Sequence, residues 1–500
     1  MIPSIRPPHK ASADRQADRP LVPSKVEGSG RTGEVRVRFA PSPTGHLHIG
    51  GLRSALFNWL FARHNNGTFL LRIEDTDIER SKQEYTDSIL ASFAWMHIDW
   101  DEPVVIQSER AARHAEIAQQ LLAQKKAYFC TCSQEQVIER LSKNPGFDAN
   151  FIKYDGHCST KNNPSGALRF KIPASINTVA FTDLIRGDIT IGTDQLDDFI
   201  LVRSDGTPMY NFVVVIDDAD MRISHVIRGE EHIANTPKQI LLYQACNFAL
   251  PQFAHLPMIL GADGSKLSKR DAATGVFEYR SMGYLPDALF NYLVRLGWAH
   301  GDQEVFTKDE MIKFFSLEHV GKKGAIFDQV KLDWINGVYM RAMPDDQLLV
   351  VILKDVMPTL MSDLTRWDEK TILLLINIYK QRAKTLKELV ADIKALYEEP
   401  ASYAQEDIVQ WITATTQQEL QEAVAVLTSI SEFTADKISA VFKDFSKTKN
   451  IKIVAIAQPL RIALIGKSSG PGVFELMAVL GTHETIKRIE KLISFIDSKK

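Results

Sequence analysis

The stretch Val35–Gly67, VRVRFAPSPTGHLHIGGLRSALFNWLFARHNNG, and the TFLLRI that follows it constrain the fold more than any other part of this chain. Val35, Val37 and Phe39 alternate with Arg36 and Arg38, the period of a strand. Beyond Gly51, Leu52, Leu56, Trp59, Leu60 and Arg63 recur at helical spacing, and Asn65, Asn66 and Gly67 supply a stop. Thr68–Ile73 then reads as a second strand. Strand, loop, helix and strand in this order open a doubly wound nucleotide-binding fold, with ligands expected at the C-terminal ends of the strands. The connecting turn, APSPTGHLHIGG, is both stiff with proline and bare with glycine. A plain connector needs neither property. A loop that brings its backbone against a phosphate uses both, because the helix beyond it points free N–H groups at the anion. His46 and His48 lie on one face of an extended segment, so one or both can donate to phosphate.

The rest of the chain extends this plan. Five hundred residues exceed what one core usually organises, so two to four domains are expected. Residues 1–33 are rich in Pro, Ser and Arg without hydrophobic period, and read as disordered. Asp14, Asp18 and Glu27 weigh against a transit peptide there. From Cys130 to Thr207 the periodicity weakens and short β-like pieces such as ALRFKI and DITIG suggest an insertion. The nucleotide-fold pattern resumes at Tyr210–His232, which is expected to hold two further buried strands. From Asp368 onward nearly everything reads as helix, with one continuous amphipathic pattern over EKTILLLINIYKQRAKTLKELVADIKALYEE. A net charge of −3 and a pI near 6.5 exclude a chain coated in positive charge for indiscriminate nucleic-acid binding. No apolar run reaches the ~20 residues of a membrane span. Four cysteines are too few for a disulfide scaffold and fit a reducing, cytoplasmic setting.

A second stretch carries chemistry. LGADGSKLSKRD puts Lys266, Lys269 and Arg270 on a Gly- and Ser-bearing loop after a short apolar strand. A solvated basic turn is the plain alternative. Paired with the glycine turn, however, such cations suit a phosphoryl transition state whose charge grows on equatorial and leaving oxygens.

HIGG (His48–Gly51) and KLSKR (Lys266–Arg270) together resemble the paired signatures of class I aminoacyl-tRNA synthetases. The wider strings RFAPSPTGHLHIGG, LRIEDTD, YNFVVVIDD, VIRGEEH and KLSKRDAATGVFEYRSMGYLPDALFNYLVRLGW resemble the bacterial-type glutamyl-tRNA synthetases, in family order from Val35 to the C-terminus. The resemblance implies an α/β Rossmann-type catalytic core with an inserted α+β acceptor-binding domain, followed by an all-α anticodon-binding region. The boundaries expected are 34–129 and 208–260 for the core, 130–207 for the insertion, 261–345 for the KLSKR loop and connecting helices, and 346–500 for the anticodon-binding part.

By the same resemblance, Arg38 and Arg228 attend the glutamate substrate, each a planar fork suited to a carboxylate. Glu74 takes the amino group, and Ala40, Ser42 and Tyr210 complete that site. A structural ion pair of Arg228 with Asp217 or Asp218 is the alternative, as are a helix-start cap cluster for Glu74 and Asp75 and a strand-end turn for Asp217 and Asp218. ATP with Mg²⁺ maps onto His48, Gly50, Gly51, Glu231, Lys266, Lys269 and Arg270, with His48, Lys266 and Lys269 assisting the chemistry. The partners implied are L-glutamate and tRNA(Glu), with tRNA(Gln) as a second candidate, for a monomeric enzyme. A helical C-terminal half departs from glutaminyl-tRNA synthetases, which end in β-barrels.

Some members of the family hold one structural Zn²⁺ in the segment that begins at Cys130. The frequent ligand pattern needs histidine at position 160, where this chain has Thr160. The set Cys130, Cys132, Tyr154 and Cys158 fits instead, His157 is the competing donor, and free thiols are the alternative. Cys246 reads as plain helix core. The Gly-Lys-Ser near Gly466 fails as a phosphate loop, because Arg461 stands where that motif requires glycine.

Overall fold

The computed structural model describes residues 34–77, 79–143, 148, 152–267 and 275–499. The extension 1–33 and residues 268–274, which include Lys269 and Arg270, lie outside the described residues. The chain forms two compact units. One comprises the chain up to Tyr279 with Pro286–Leu332, the other Arg280–Leu285 with Asp333–Lys500.

The first unit opens with β1 (Arg36–Phe39), α1 (Ile49–His64) and β2 (Thr68–Ile73), the strands running parallel from Arg36↔Thr68 to Phe39↔Leu71. After α2 (Gln83–Trp95), β3 (Val105–Ile106) extends the sheet beside β2, and α3 (Ala111–Ala123) follows. The alternation in β1 does not mark an exposed face, since all four residues are buried. Parallel strands are covered on both sides, and the two arginines are tolerated because each is bonded. Arg36 Nε donates to the Met221 carbonyl at 3.1 Å and its Nη2 meets Glu102 at 2.8 Å.

The expected insertion contributes β4 (Ala127–Cys130), α4 (Gln134–Leu141), β5 (Ala167–Phe170), the β6 (Thr178–Asp183)–β7 (Gly187–Gly192) hairpin, and β8 (Ile200–Val202). Strands β4, β5 and β8 form an antiparallel sheet. The hairpin does not join that sheet.

Next come α5 (Tyr210–Asp220), β9 (His225–Gly229), α6 (Thr236–Cys246) and β10 (Gln252–Leu256), with β9 and β10 parallel. Here one expectation fails: Tyr210–His232 holds one strand, not two, because Tyr210–Asp220 is helical. Its valine run favours a strand locally. Yet the segment is helical, and Phe212–Asp218 are all buried, so tertiary packing overrides the local preference. For the same reason Asp217 and Asp218 are not a strand-end turn. Hairpin β6–β7 adds to the edge of β10 through Phe253↔Asp183, giving the order β7-β6-β10-β9. Ser224, just before β9, bonds the Arg36 backbone from both sides, with its hydroxyl and its N–H. The C-terminal ends of β1, β2, β9 and β10 thus open into one cavity.

The second unit is helical among its described residues. The expected continuous helix from Glu369 is two, Glu369–Lys380 and Leu386–Tyr397, because Thr385 caps the second by accepting from the Glu388 N–H. Gly466 ends Ile453–Ile465 in the left-handed region, and Arg461 binds the Ser468 and Pro471 carbonyls, so the Gly-Lys-Ser is a helix stop. No helix among the described residues is long and apolar enough to cross a membrane.

Candidate active site

A cavity of about 1520 Å³ lies over the strand ends. That volume exceeds the usual 300–1,000 Å³ of a single small-ligand pocket. Its two ends are built differently.

One end is the start of α1. His48 caps the helix, its Nδ1 accepting from the Gly51 N–H at 3.1 Å. The ring therefore carries its proton on Nε2, and desolvation, then the Lys266 ammonium, lowers its pKa against the pull of Glu231. A Cβ on Gly50 would lie 3.1 Å from the His48 ring, and one on Gly51 as close to Leu47. Both glycines thus make room for the cap as well as for a ligand. His46 instead meets the Ser88 hydroxyl at 3.0 Å and stands edge-on to Tyr85, so the two histidines serve different contacts. Lys266 lines the cavity from a tight turn in which Gly264 has φ +78° and Gly261 N–H bonds the Ser265 carbonyl. His48 also bridges Gly275, just past the segment holding Lys269 and Arg270. Glu231 folds back over Gly229, where any Cβ would strike its carboxylate.

The other end is a set of buried charges. Arg38 grips Asp218 with Nε and Nη2, at 3.0 and 3.2 Å. Arg72, fully buried, donates to Asp218 at 2.6 Å and to Glu74 at 2.9 Å. Burial raises the Glu74 pKa while Arg72 and Arg38 pull it down, and Asp218 stays below the carboxylate range because both arginines outweigh its burial. Glu74 and Asp75 do not form a helix-start cluster. Glu74 sits at the end of β2, and Asp75 reaches across to bind Ser108.

Arg228 is not paired with Asp217 or Asp218 as the alternative required. Asp217 instead binds Arg110, His114 and Gln107. Arg228 makes no ion pair among the described residues. Its Nε meets His255 at 3.2 Å and its Nη2 meets Thr236 at 2.9 Å, while its buried Nη1 has no partner. Ala40, Ser42, Glu74 and Tyr210 line the cavity with it. The Tyr210 hydroxyl lies 3.4 Å from His232 Nδ1.

The catalytic-domain family of class I tRNA synthetases (E and Q) matches residues 34–334, and an anticodon binding domain family matches residues 351–493. The chain belongs to the class I tRNA synthetases of the E and Q group. It is 45% identical over 473 residues to a glutamate–tRNA ligase of Geotalea uraniireducens, covering 93% of this chain and 99% of that one. A glutamate–tRNA ligase of Thermodesulfovibrio yellowstonii is 43% identical over 464 residues, 92% of this chain and 99% of the relative. The crystal structure of a glutamate tRNA ligase from Elizabethkingia meningosepticum, in complex with its amino acid, superposes with a TM-score of 0.82 at 33% identity. It covers 92% of this chain and 99% of that one.

Sequence reasoning missed several residues of this synthetase site. Asp218 is expected only as a turn residue or a partner of Arg228, Arg72 has no role beyond its place in LRIEDTD, and nothing local marks His255 or Thr236. His232 stood in VIRGEEH without a role. Its pKa falls to about 4, through burial and then the Arg228 cation, so it is neutral at pH 7.

In the segment opened by β4, the Cys130, Cys132 and Cys158 thiols lie within 4.8 Å of one another. The Tyr154 hydroxyl is 3.3 Å from Cys130 and accepts from the Cys158 N–H at 2.8 Å. His157 points to Lys161 instead, 2.5 Å from its ammonium. Cys246 is half-buried at the last turn of α6, where it packs against the core, and burial raises its thiol to about 11.

Proposed function

We propose that the chain is a glutamate–tRNA ligase that activates L-glutamate with ATP and transfers it to the terminal adenosine of tRNA(Glu). The observation that carries this reading is Arg228, a buried guanidinium on the cavity wall whose Nη1 has no partner among the described residues. A buried cation left without a counter-charge is costly, by several kcal/mol. A substrate carboxylate supplies the missing charge.

Arg228 holds a glutamate carboxylate. Arg38, on the cavity wall with Asp218 behind it, adds positive field, Glu74 accepts from the ammonium, and Ser42 and Tyr210 donate. The His48 Nε2–H and the N-terminal end of α1 receive phosphate, with Gly50, Gly51, Glu231, Lys266, Lys269 and Arg270 around the nucleotide. A glutamate α-carboxylate oxygen attacks the α-phosphorus, and the bond to pyrophosphate breaks. The 2′-hydroxyl oxygen of the terminal adenosine then attacks the adenylate carbonyl, and AMP leaves. No covalent enzyme nucleophile is required, since positioning and charge stabilisation suffice. Mg²⁺ accompanies ATP and neutralises phosphate charge.

The zinc reading takes Cys130, Cys132 and Cys158 with Tyr154 as the fourth donor, a softer-ligand set that suits Zn²⁺. It is supported by the convergence of the thiols and by His157 facing away. Metal analysis should find about one zinc per chain. Metal-free protein with full activity would return the three thiols to the free state. The division into core, insertion, connecting helices and anticodon-binding part, at the boundaries given above, belongs to the same proposal. So does a cytoplasmic monomer.

Charging assays with ATP, labelled glutamate and purified tRNA(Glu) and tRNA(Gln) test the reading. Glutamyl-tRNA(Glu) is expected, and its absence from both tRNAs would sink it. Charging of tRNA(Gln) in the same assay would add the second tRNA as a substrate.

A further inference from the structure

We propose that Asp183, His255 and Thr236 form a positioning relay that fixes Arg228 and leaves its Nη1 and its full charge for the substrate carboxylate. This rests on the reading that Arg228 holds glutamate.

The geometry starts in the sheet. Arg228 and His255 are register partners on parallel β9 and β10, so their side chains leave the same face side by side. Arg228 Nε donates to His255 Nε2 at 3.2 Å. That nitrogen must therefore be a lone pair. On the far side of the ring, His255 Nδ1 lies 2.6 Å from Asp183 Oδ2. The carboxylate is itself fixed, its Oδ1 accepting from the N–H groups of Ile185, Arg186 and His255 at 3.0, 2.8 and 3.3 Å. An ionised carboxylate only accepts, so the Asp183 bond puts the proton on Nδ1 and frees Nε2. Thr236 completes the cradle. Its hydroxyl accepts from Arg228 Nη2 at 2.9 Å and lies 3.2 Å from His255 Nε2. Asp183, His255 and Thr236 are at most 1% exposed and Arg228 is 6% exposed, so no solvent competes for these bonds.

The contrast with Arg38 explains the design. A carboxylate set directly against Arg38, that of Asp218, both orients the guanidinium and cancels its charge. Arg228 is oriented instead by a neutral imidazole and a hydroxyl, with the anion one residue further back. Orientation is thereby separated from neutralisation. The cation remains uncancelled on the cavity side, where a carboxylate is favoured and an amide, which brings donors toward a cation, is not.

The test uses the full-length protein charging tRNA(Glu), with KM measured for glutamate and for ATP. H255F keeps an aromatic ring and removes the acceptor. It should raise KM for glutamate at least tenfold, narrow the preference for glutamate over glutamine, and leave KM for ATP within threefold. H255Q returns an acceptor oxygen near the Nε2 position and should recover most of the loss. T236V should shift KM for glutamate alone, by a smaller factor. R228Q separates the two claims. If R228Q itself leaves KM for glutamate unchanged, the assignment of Arg228 to the substrate fails. If R228Q raises it while a folded H255F does not, the relay alone is overturned. Should H255F melt before assay, an unchanged KM in T236V overturns the relay equally.

Discussion

The two ends of the cavity solve positioning in opposite ways. At the end proposed for the nucleotide, a helix terminus, two glycines and one capping histidine present exposed groups that are local in sequence. At the end proposed for the amino acid, Arg38, Arg72, Glu74, Asp218 and Arg228 are nearly all hidden from water, and Arg38 and Arg72 reach Asp218 from far along the chain. Local backbone geometry is cheap to keep in place and leaves donors free. Buried charge is stable only while every partner is present, because taking an ion out of water costs several kcal/mol. Damage at the first end should therefore be read in rates, and damage at the second also in stability.

The hardest test of that contrast is Asp218→Ala. It strands Arg38 and Arg72 without their shared anion, and breaking a buried pair costs roughly 3–5 kcal/mol. A large fall in melting temperature is expected. A melting curve like the wild type's would erase the distinction between the two ends. Lys269→Ala tests the proposed nucleotide chemistry: glutamate activation should slow by about 10²–10³ with little change in ATP affinity or melting. Pre-steady-state kinetics with an unchanged chemical step would end that assignment.

A pH titration sharpens the comparison next. The His232 pKa is depressed from 6.5 to about 4 in the folded protein. Between those values the unfolded chain binds a proton that the folded one refuses, so stability present above pH 6.5 is lost as pH falls toward 4. The loss is of order 1–3 kcal/mol. His232→Asn should flatten that part of the melting-temperature profile, and an unaltered slope would count against it. The smallest effect is expected from His48→Ala at the nucleotide end. Loss of the cap costs about 1 kcal/mol, and His48→Asn should restore the melting temperature without restoring the rate.

The same contrast governs what could be read beforehand. The β1–α1–β2 unit was legible because it is punctuated within a few residues, by the Pro- and Gly-bearing turn before α1 and by Asn65–Gly67 after it: the second strand runs from Thr68 to Ile73 as expected. Helix α5 was misread because its FVVVI run favours a strand locally, while the fold buries the segment as a helix. Glu74, Tyr210 and Arg228 could be named through motif resemblance, and all three line one cavity. Their supports could not, because Arg38–Asp218 and Arg72–Asp218 span 180 and 146 residues, and nothing local distinguishes such an aspartate from a turn residue. His255 illustrates the limit: one histidine in QFAHL has meaning only once β10 is laid beside β9.

Hairpin β6–β7 carries a consequence for how relatives of this chain can be recombined. It supplies Asp183 to the interior and Arg186, which reaches the His255 and Lys322 carbonyls and the Glu230 carboxylate. By sequence position it falls in the segment expected as an insertion, but mechanically it braces the cavity wall from behind, through His255 and Glu230. A chimera that exchanges residues 130–207 as a block would put a foreign support behind His255 and Arg228. The serviceable seam runs elsewhere, around the small cysteine-centred cluster of Tyr128, Cys130, Val137, Tyr154 and Cys158, which packs as a cluster of its own. Grafts cut there can vary the outer lobe while residues 178–192 travel with the sheet they brace.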